Sequence, residues 1–225
     1  PAGNYVELVD EVTGLSSYND NPLVFTKNHV YRLNGQFSET GQGGITYEDI
    51  TKTIGCVSNA SIVQTRYGVF WAGNDGFYWT DGFNFSKVSD SLNETYKLLV
   101  ESSAAAARIV GCFDSKDNKI RWAVRLDESS PDNYTLFSLD LRWGVKPAST
   151  FTTRSNGSDF SPASIAFYQN QLIHGDHRGY ILRHDKDYFN DPVIVTTVAP
   201  ANWTVKSLQP YYKSTALNFG ETQIR

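Results

Sequence analysis

The residues of this chain best suited to chemistry are its turn aspartates, a cluster of histidines and five tryptophans. Asp75, Asp81, Asp114, Asp117, Asp176 and Asp185 are the types a glycosidase needs, because two carboxyl groups must flank the bond being cleaved. Nearly all of them stand in turn sequences, where Asp bonds to nearby backbone and has a structural task. His174, His177 and His184 lie close together with Asp176 and Asp185 beside them, and imidazole with carboxylate suits zinc. His174 and His177, however, flank a hairpin turn, where polar residues are expected in any case, and His29 reads as a turn or strand-surface residue. Trp71, Trp79, Trp122, Trp143 and Trp203 could stack on sugar rings or serve as wedges between packed sheets, and inward strand positions favour wedges. The expectation is no catalytic, cofactor-binding or metal-ligating residue, no cofactor and no enzyme activity.

Recognised catalytic spacings are missing too. There is no nucleophile elbow with a Ser/His/Asp order, no phosphate-binding Walker loop and no Cys-x-x-Cys. Asn74-Asp75-Gly76 has Asp and Gly adjacent, whereas the Asp-box turn of sialidases separates them and ends in Trp. Six Asn-x-Ser/Thr triplets, beginning at Asn59, Asn84, Asn93, Asn133, Asn156 and Asn202, fit chance in a chain rich in these residues.

The elements that position these residues are strands. The central stretch, Tyr67 to Gly82, reads as a β-hairpin: apolar Val69-Phe70-Trp71, a turn at Gly73 to Gly76, and an aromatic return of Phe77-Tyr78-Trp79. Asp75-Gly76 is expected to supply a residue with positive φ, and Asp81-Gly82 to begin the next turn. Leu23 to Gly35 repeats the plan around a turn at Lys27-Asn28. Leu172 to His184 aligns with the central hairpin without a gap, matching Val69 with Leu172, Gly76 with Gly179, Phe77 with Tyr180 and Tyr78 with Ile181. With the Ile120 hairpin between them, the spacing fits repeats of about fifty residues, the size of a four-stranded propeller blade.

The fold expected is all-β: a β-propeller, or part of one, of about four or more blade-like units beginning near Leu23, Gly68, Ile109 and Ala163. A two-sheet sandwich is the competing architecture. One short helix is expected near residues 91–103, with Ser91 and Glu94 at capping-box spacing and Leu92, Tyr96 and Leu99 on one face. Strands are also expected over Ile45 to Ile54, running into a helical turn, and over Cys56 to Val63. Residues 1–21 read as a polar lead-in, 22–212 as the propeller, and 213–225 as an exit strand toward a further domain. The loops Gln36 to Gly44 and Thr152 to Ser161 are the expected contact loops.

Composition narrows the partners. A length of 225 residues supports a substantial core, and no apolar run approaches the length that spans a bilayer. A formal charge of −4 argues against a dedicated nucleic-acid-binding surface, which would be basic. Cys56 and Cys112 sit in similar apolar contexts and read as two buried thiols, a pairing between them being the alternative. No signal peptide is visible, and a chain opening on Pro1 without any Met is expected to be a fragment.

The order of these features resembles a known family. Leu23 to Gly35, then Ile54-Gly-Cys-Val-Ser58, then Gly68 to Gly82, then Lys87-Val-Ser-Asp-Ser-Leu92 and the short helix follow the pattern of the propeller portion of tailed-phage neck and tail proteins. The likeness is to nozzle (tail tubular) subunits and related stabilisation proteins, and extends from Pro22 to Arg225. It implies a virion structural subunit, assembled in the host cytoplasm as a ring around the DNA exit channel. Its implied partners are copies of itself, other tail or neck proteins, and DNA passing without sequence-specific binding. A net negative wall would let DNA slide, since it avoids the counterion release that drives binding. The alternative is a carbohydrate-binding or glycoside-cleaving propeller.

Overall fold

The computed structural model describes residues 6–35, 44–100, 103–125, 135–145, 151–155, 162–176, 179, 181–184, 190–195 and 202–207. It is an all-β arrangement of antiparallel meanders taken in chain order. The first sheet contains β1 (Val12–Tyr18), β2 (Asn21–Thr26), β3 (Val30–Asn34) and β4 (Thr46–Thr51). The second contains β5 (Val63–Thr65), β6 (Gly68–Ala72), β7 (Phe77–Thr80) and β8 (Phe85–Lys87). The third contains β9 (Val110–Asp114), β10 (Lys119–Val124), β11 (Thr135–Asp140) and β12 (Phe151–Ser155). A three-stranded fourth sheet follows, with β13 (Pro162–Tyr168), β14 (Gln171–Asp176) and β15 (Ile181–His184). A two-stranded ladder of β16 (Asn190–Val195) and β17 (Asn202–Ser207) comes last.

Each sheet grows away from its first strand, and the first strands are neighbours. β1 lies against β5 and β6, β5 against β9, and β9 against β13. At Gly111 the approach leaves no room for a side chain. A Cβ on Gly111 would stand 2.5 Å from Trp122 Cδ1 and 2.8 Å from Val63 Cγ2 of the second sheet. Glycine is therefore required there by space, with no demand on φ.

The turns between first and second strands show the repetition most plainly. Tyr18-Asn19-Asp20-Asn21 and Tyr168-Gln169-Asn170-Gln171 are both two-residue connections, with φ of 48° and 61° in one and 47° and 62° in the other. Both central residues in the left-handed region is the primed geometry whose twist matches that of paired strands. Between second and third strands the gap-free alignment does not hold: Phe77 pairs with Ala72 directly after Gly76, whereas Ile181 pairs with Gly175 two residues after Gly179, so the second loop is one residue longer and Phe77 corresponds to Ile181.

Several local expectations change. Gly76 is not in the left-handed region, although Gly82 is, at φ 91°. The space beside Gly76 is instead filled by the Lys87 stem and by Ser89, whose Oγ would lie 2.5 Å from an added Cβ. The first sheet starts at Val12 inside the polar lead-in, and the second at Val63, each ahead of the first residues expected from the apolar runs. Within Cys56 to Val63, a single 3-10 turn at Asn59–Ser61 replaces the expected strand until β5 begins. There Ser61 Oγ donates to the Ser58 carbonyl at 2.6 Å, a local bond that competes with a ladder.

The helix is built in three short pieces: a 3-10 turn at Asp90–Leu92, α1 (Asn93–Val100) and α2 (Ser103–Ala106). No capping box forms, because Ser91 lies within the turn and Ser89, at the cap, makes no capping bond. Ser89 Oγ is used to accept the Phe77 backbone N–H at 2.8 Å. Leu92 and Tyr96 face inward as expected, and no helix among the described residues is long and apolar enough to cross a membrane.

Candidate functional site

Of the residues singled out by type, Trp71 and Trp122 fill seams between sheets, His174 is buried, and the described aspartates stand in or beside turns. Between the first and second sheets, Leu23, Phe25 and Val30 pack against Val69, Trp71 and Tyr78. Trp71 is 0% exposed, with Phe25 edge-on at 5.3 Å and Tyr78 stacked at 5.8 Å. Its indole N–H donates to the Gly55 carbonyl at 3.0 Å, so ring and polar tip are both occupied.

Between the second and third sheets the same position on the second strand carries Trp122. It stacks on Phe77 at 4.2 Å and donates to the Ser61 carbonyl at 3.0 Å. Phe70, Ile120, Val124, Phe137 and Leu139 complete this cluster, and Tyr96 of α1 closes it by donating its hydroxyl to the Gly73 carbonyl at 2.7 Å. Burying a large ring fully is worth about 2–3 kcal/mol, so these seams are strong structural contacts. The segment joining the first two sheets also ties in the third: Ser58 Oγ donates to the Ile109 carbonyl at 2.7 Å.

The corresponding position in the fourth sheet is His174, buried on β14 opposite Ile165. It is separated from the metal site envisaged in the sequence by its setting: Ile165 packs on Val110, Ala123 and Leu136 of the third sheet. His184 pairs with Leu172 across the ladder, while His177 and Asp185 lie outside the described residues. No group of three metal-ligating side chains exists among the described residues. His29 sits beside its turn and bonds Asp10 through Nδ1 at 2.7 Å.

Among the described side chains, Asp75, Asp81, Asp114 and Asp117 are committed to turns and ion pairs. Asp75 is pushed up by partial burial, but hydrogen bonds from the Tyr78 hydroxyl at 2.7 Å and from Lys87 at 3.1 Å hold it below the ordinary carboxylate range. Asp81 is likewise depressed: burial raises it, and bonds from Asn84 and the Phe83 backbone N–H outweigh that. A general acid needs the opposite displacement. Asp114 and Asp117 both receive Arg121, at 2.9 and 3.2 Å.

The two cysteines are free thiols. Burial pushes Cys56 up to about 11 and Cys112 up to about 12, which leaves both as neutral, weakly reactive groups.

The exposed aromatic residues are spread over strand edges and turns. Tyr47 of β4, Phe85 of β8 and Phe83 beside it are exposed, and the Arg32 guanidinium sits 4.0 Å over the Phe83 ring. Trp143, after β11, is 79% exposed, which leaves its ring largely open. At the other end, Tyr18 donates to the Arg66 carbonyl and Asn118 to the Tyr67 hydroxyl, linking the turns of three successive sheets. The expected contact loops lie outside the described residues over 36–43 and 156–161. Sequence reasoning missed Ser58, Ser61 and Ser89, which hold the seams; an apolar residue directly before each serine was the only signal they gave.

The chain matches no protein-family model, and no curated protein matches it.

Proposed function

We propose that this chain is a structural subunit whose sheets are successive blades of a β-propeller, and that copies of it assemble into a ring in the tail or neck of a bacteriophage. The observation that carries the reading is the adjacency of the first strands β1, β5, β9 and β13, each the start of a meander running away from its neighbours. A two-layer sandwich would instead place whole sheets face to face in two groups. The buried Trp71 and Trp122 support it, because both fill corresponding wedge positions between consecutive sheets.

The tail assignment rests on the order of sequence features described above. The contacts among copies would use the fourth-strand rim with Tyr47, Phe83 and Phe85, since exposed aromatics next to arginine are the usual anchors of interfaces. Such a subunit does its work by shape, with DNA as a passing cargo and a net charge of −4 that disfavours its retention.

The test is light scattering and electron microscopy of the full-length protein. A large ring with a central opening supports the reading, and a well-behaved monomer at all concentrations refutes it. The second reading, a carbohydrate-binding propeller, has one observation in its favour: the open ring of Trp143. Glycan binding by a monomer that is lost on Trp143→Ala would establish that reading instead.

A further inference from the structure

The seam between the first two sheets ends at its rim in a charge that the fold leaves incompletely paired. Arg32 on β3 stands opposite Leu23 and Glu48, on the side of the first sheet that meets the second. Its side chain is 12% exposed. Nη2 donates to Glu48 Oε2, whereas Nε and Nη1 are buried and have no acceptor among the described residues. Buried donors in folded proteins are nearly always paired, so each exception asks for an acceptor from outside the chain, be it water or a ligand. A charged guanidinium asks most strongly, because its desolvation without hydrogen bonds is costly.

The opposite wall is built to admit more than water. Thr80 and Phe85 pair across β7 and β8 on the face shared with Tyr78, which is turned to the first sheet. Phe85 is exposed there, its ring 6.5 Å from that of Tyr78. In the β7–β8 turn, Phe83 lies across Arg32, its ring centre 4.0 Å from the guanidinium carbon, and is itself 64% exposed. The turn is held by Asp81, which accepts the Phe83 and Asn84 backbone N–H groups at 2.8 and 2.7 Å, so the Phe83 ring takes no part in it. Beside it, Gly82 has a φ of 91° and open space where a Cβ would stand. The ring can therefore swing aside without unmaking the turn, and Glu48, 62% exposed, can leave Nη2.

We propose that this rim crevice, with Arg32 and Glu48 on one wall and Phe83 and Phe85 on the other, binds the carboxylate of an acidic sugar. The carboxylate takes the unpaired N–H groups of Arg32, whose planar fork suits it. The sugar ring lies against the aromatic wall, and Glu48, released from Nη2, accepts a ring hydroxyl, so that a few placed polar groups orient a ligand on an apolar surface. A neutral sugar offers Arg32 no charge, and a plain aromatic acid offers Glu48 no hydroxyl; the two side chains together select a ligand carrying both. The inference rests on this one seam and not on ring assembly.

The test is calorimetric titration of the full-length protein with glucuronate, with glucose as the neutral counterpart. The expected result is saturable glucuronate binding, no glucose binding, and glucuronate affinity about tenfold or more weaker in Arg32→Gln. Absence of saturable glucuronate binding overturns the proposal and leaves water as the acceptor. Binding of glucose as well, or glucuronate affinity unchanged in Arg32→Gln, also overturns it. Glu48→Gln, at an exposed side chain, removes the competing charge and should tighten glucuronate binding about twofold or more; unchanged or weaker binding counts against the site. Should Arg32→Gln fail to fold, judged by circular dichroism, Glu48→Gln decides. Light scattering on the same samples reads assembly, so that the ring and the sugar site fail separately.

Discussion

Replacing Gly111 by Ala should destabilise the protein through one identified collision. The added methyl would lie 2.5 Å from Trp122 Cδ1, 2.6 Å from its Nε1 and 2.8 Å from Val63 Cγ2. The indole cannot easily retreat, because it is stacked on Phe77 at 4.2 Å and tied to the Ser61 carbonyl. Overpacking a filled site costs roughly 1–3 kcal/mol, and the rigidity of the ring places this case near the top, at about 2–3 kcal/mol. For a domain of this size that lowers Tm by roughly 5–10 °C. The assay is urea unfolding of the wild type, Gly111→Ala, Trp122→Leu and the double variant. Trp122→Leu alone should cost about 3 kcal/mol. In its background the added methyl has lost its main obstacle, and Gly111→Ala should cost under about 1 kcal/mol, leaving a coupling of about 1 kcal/mol or more. Additivity within about 0.5 kcal/mol, or a neutral Gly111→Ala, would refute the claim that close approach of β9 to its neighbours organises the seam.

Three further outcomes follow from the same seams. Trp71→Ala should cost about 3–5 kcal/mol in thermal or chemical unfolding, whereas Trp143→Ala, at an exposed ring, should stay within about 0.5 kcal/mol; the reverse order would mean that Trp71 is no wedge. Ser89→Ala removes the acceptor of the buried Phe77 N–H and should cost about 1–3 kcal/mol, read by denaturant midpoint, and an unchanged midpoint would contradict that bond. For the thiols, folding raises both pKa values above those of the unfolded chain, so the neutral form is favoured in the fold. Their contribution is fully present below the unfolded value near 9.0 and is lost as pH rises from there toward about 11 and 12. Stability should therefore decline above pH 9 less steeply in Cys56→Ala than in wild type, and equal slopes would count against the burial of that thiol as a neutral group.

The sequence showed the strands that carry aromatic and β-branched runs, and hid those that do not. β6 and β7 were legible because Val69 to Trp71 and Phe77 to Trp79 are apolar on both faces, as strands covered on both sides must be. The likeness of the Leu172 hairpin to the central one was legible for the same reason, but its gap-free form misled past the turn, because the loop before β15 is one residue longer than the loop before β7. β1 was hidden because Val12 to Tyr18 contains Thr, Gly and two Ser; its value lies in Gly14, which lets it approach Ile62 and Asn59. The capping-box pattern at Ser91 and Glu94 misled because the helical segment starts two residues earlier, with Ser89 at its cap and engaged in a tertiary bond to the Phe77 N–H. His174 looked like a possible ligand because its spacing to other histidines was visible, whereas its correspondence to Trp71 and Trp122 depends on register. The chemical reading of the turn aspartates could be weighed from sequence, but their depression by Tyr78, Lys87 and Asn84 is a matter of three-dimensional contact.

Single-particle electron microscopy of the full-length protein tests the central claim most directly, because it views both the copy and the assembly. The account predicts a ring of copies around an open channel, and within each copy four or more sheets stepping about one axis with β1, β5, β9 and β13 nearest to it. A monomer whose sheets lie in two stacked layers would contradict it.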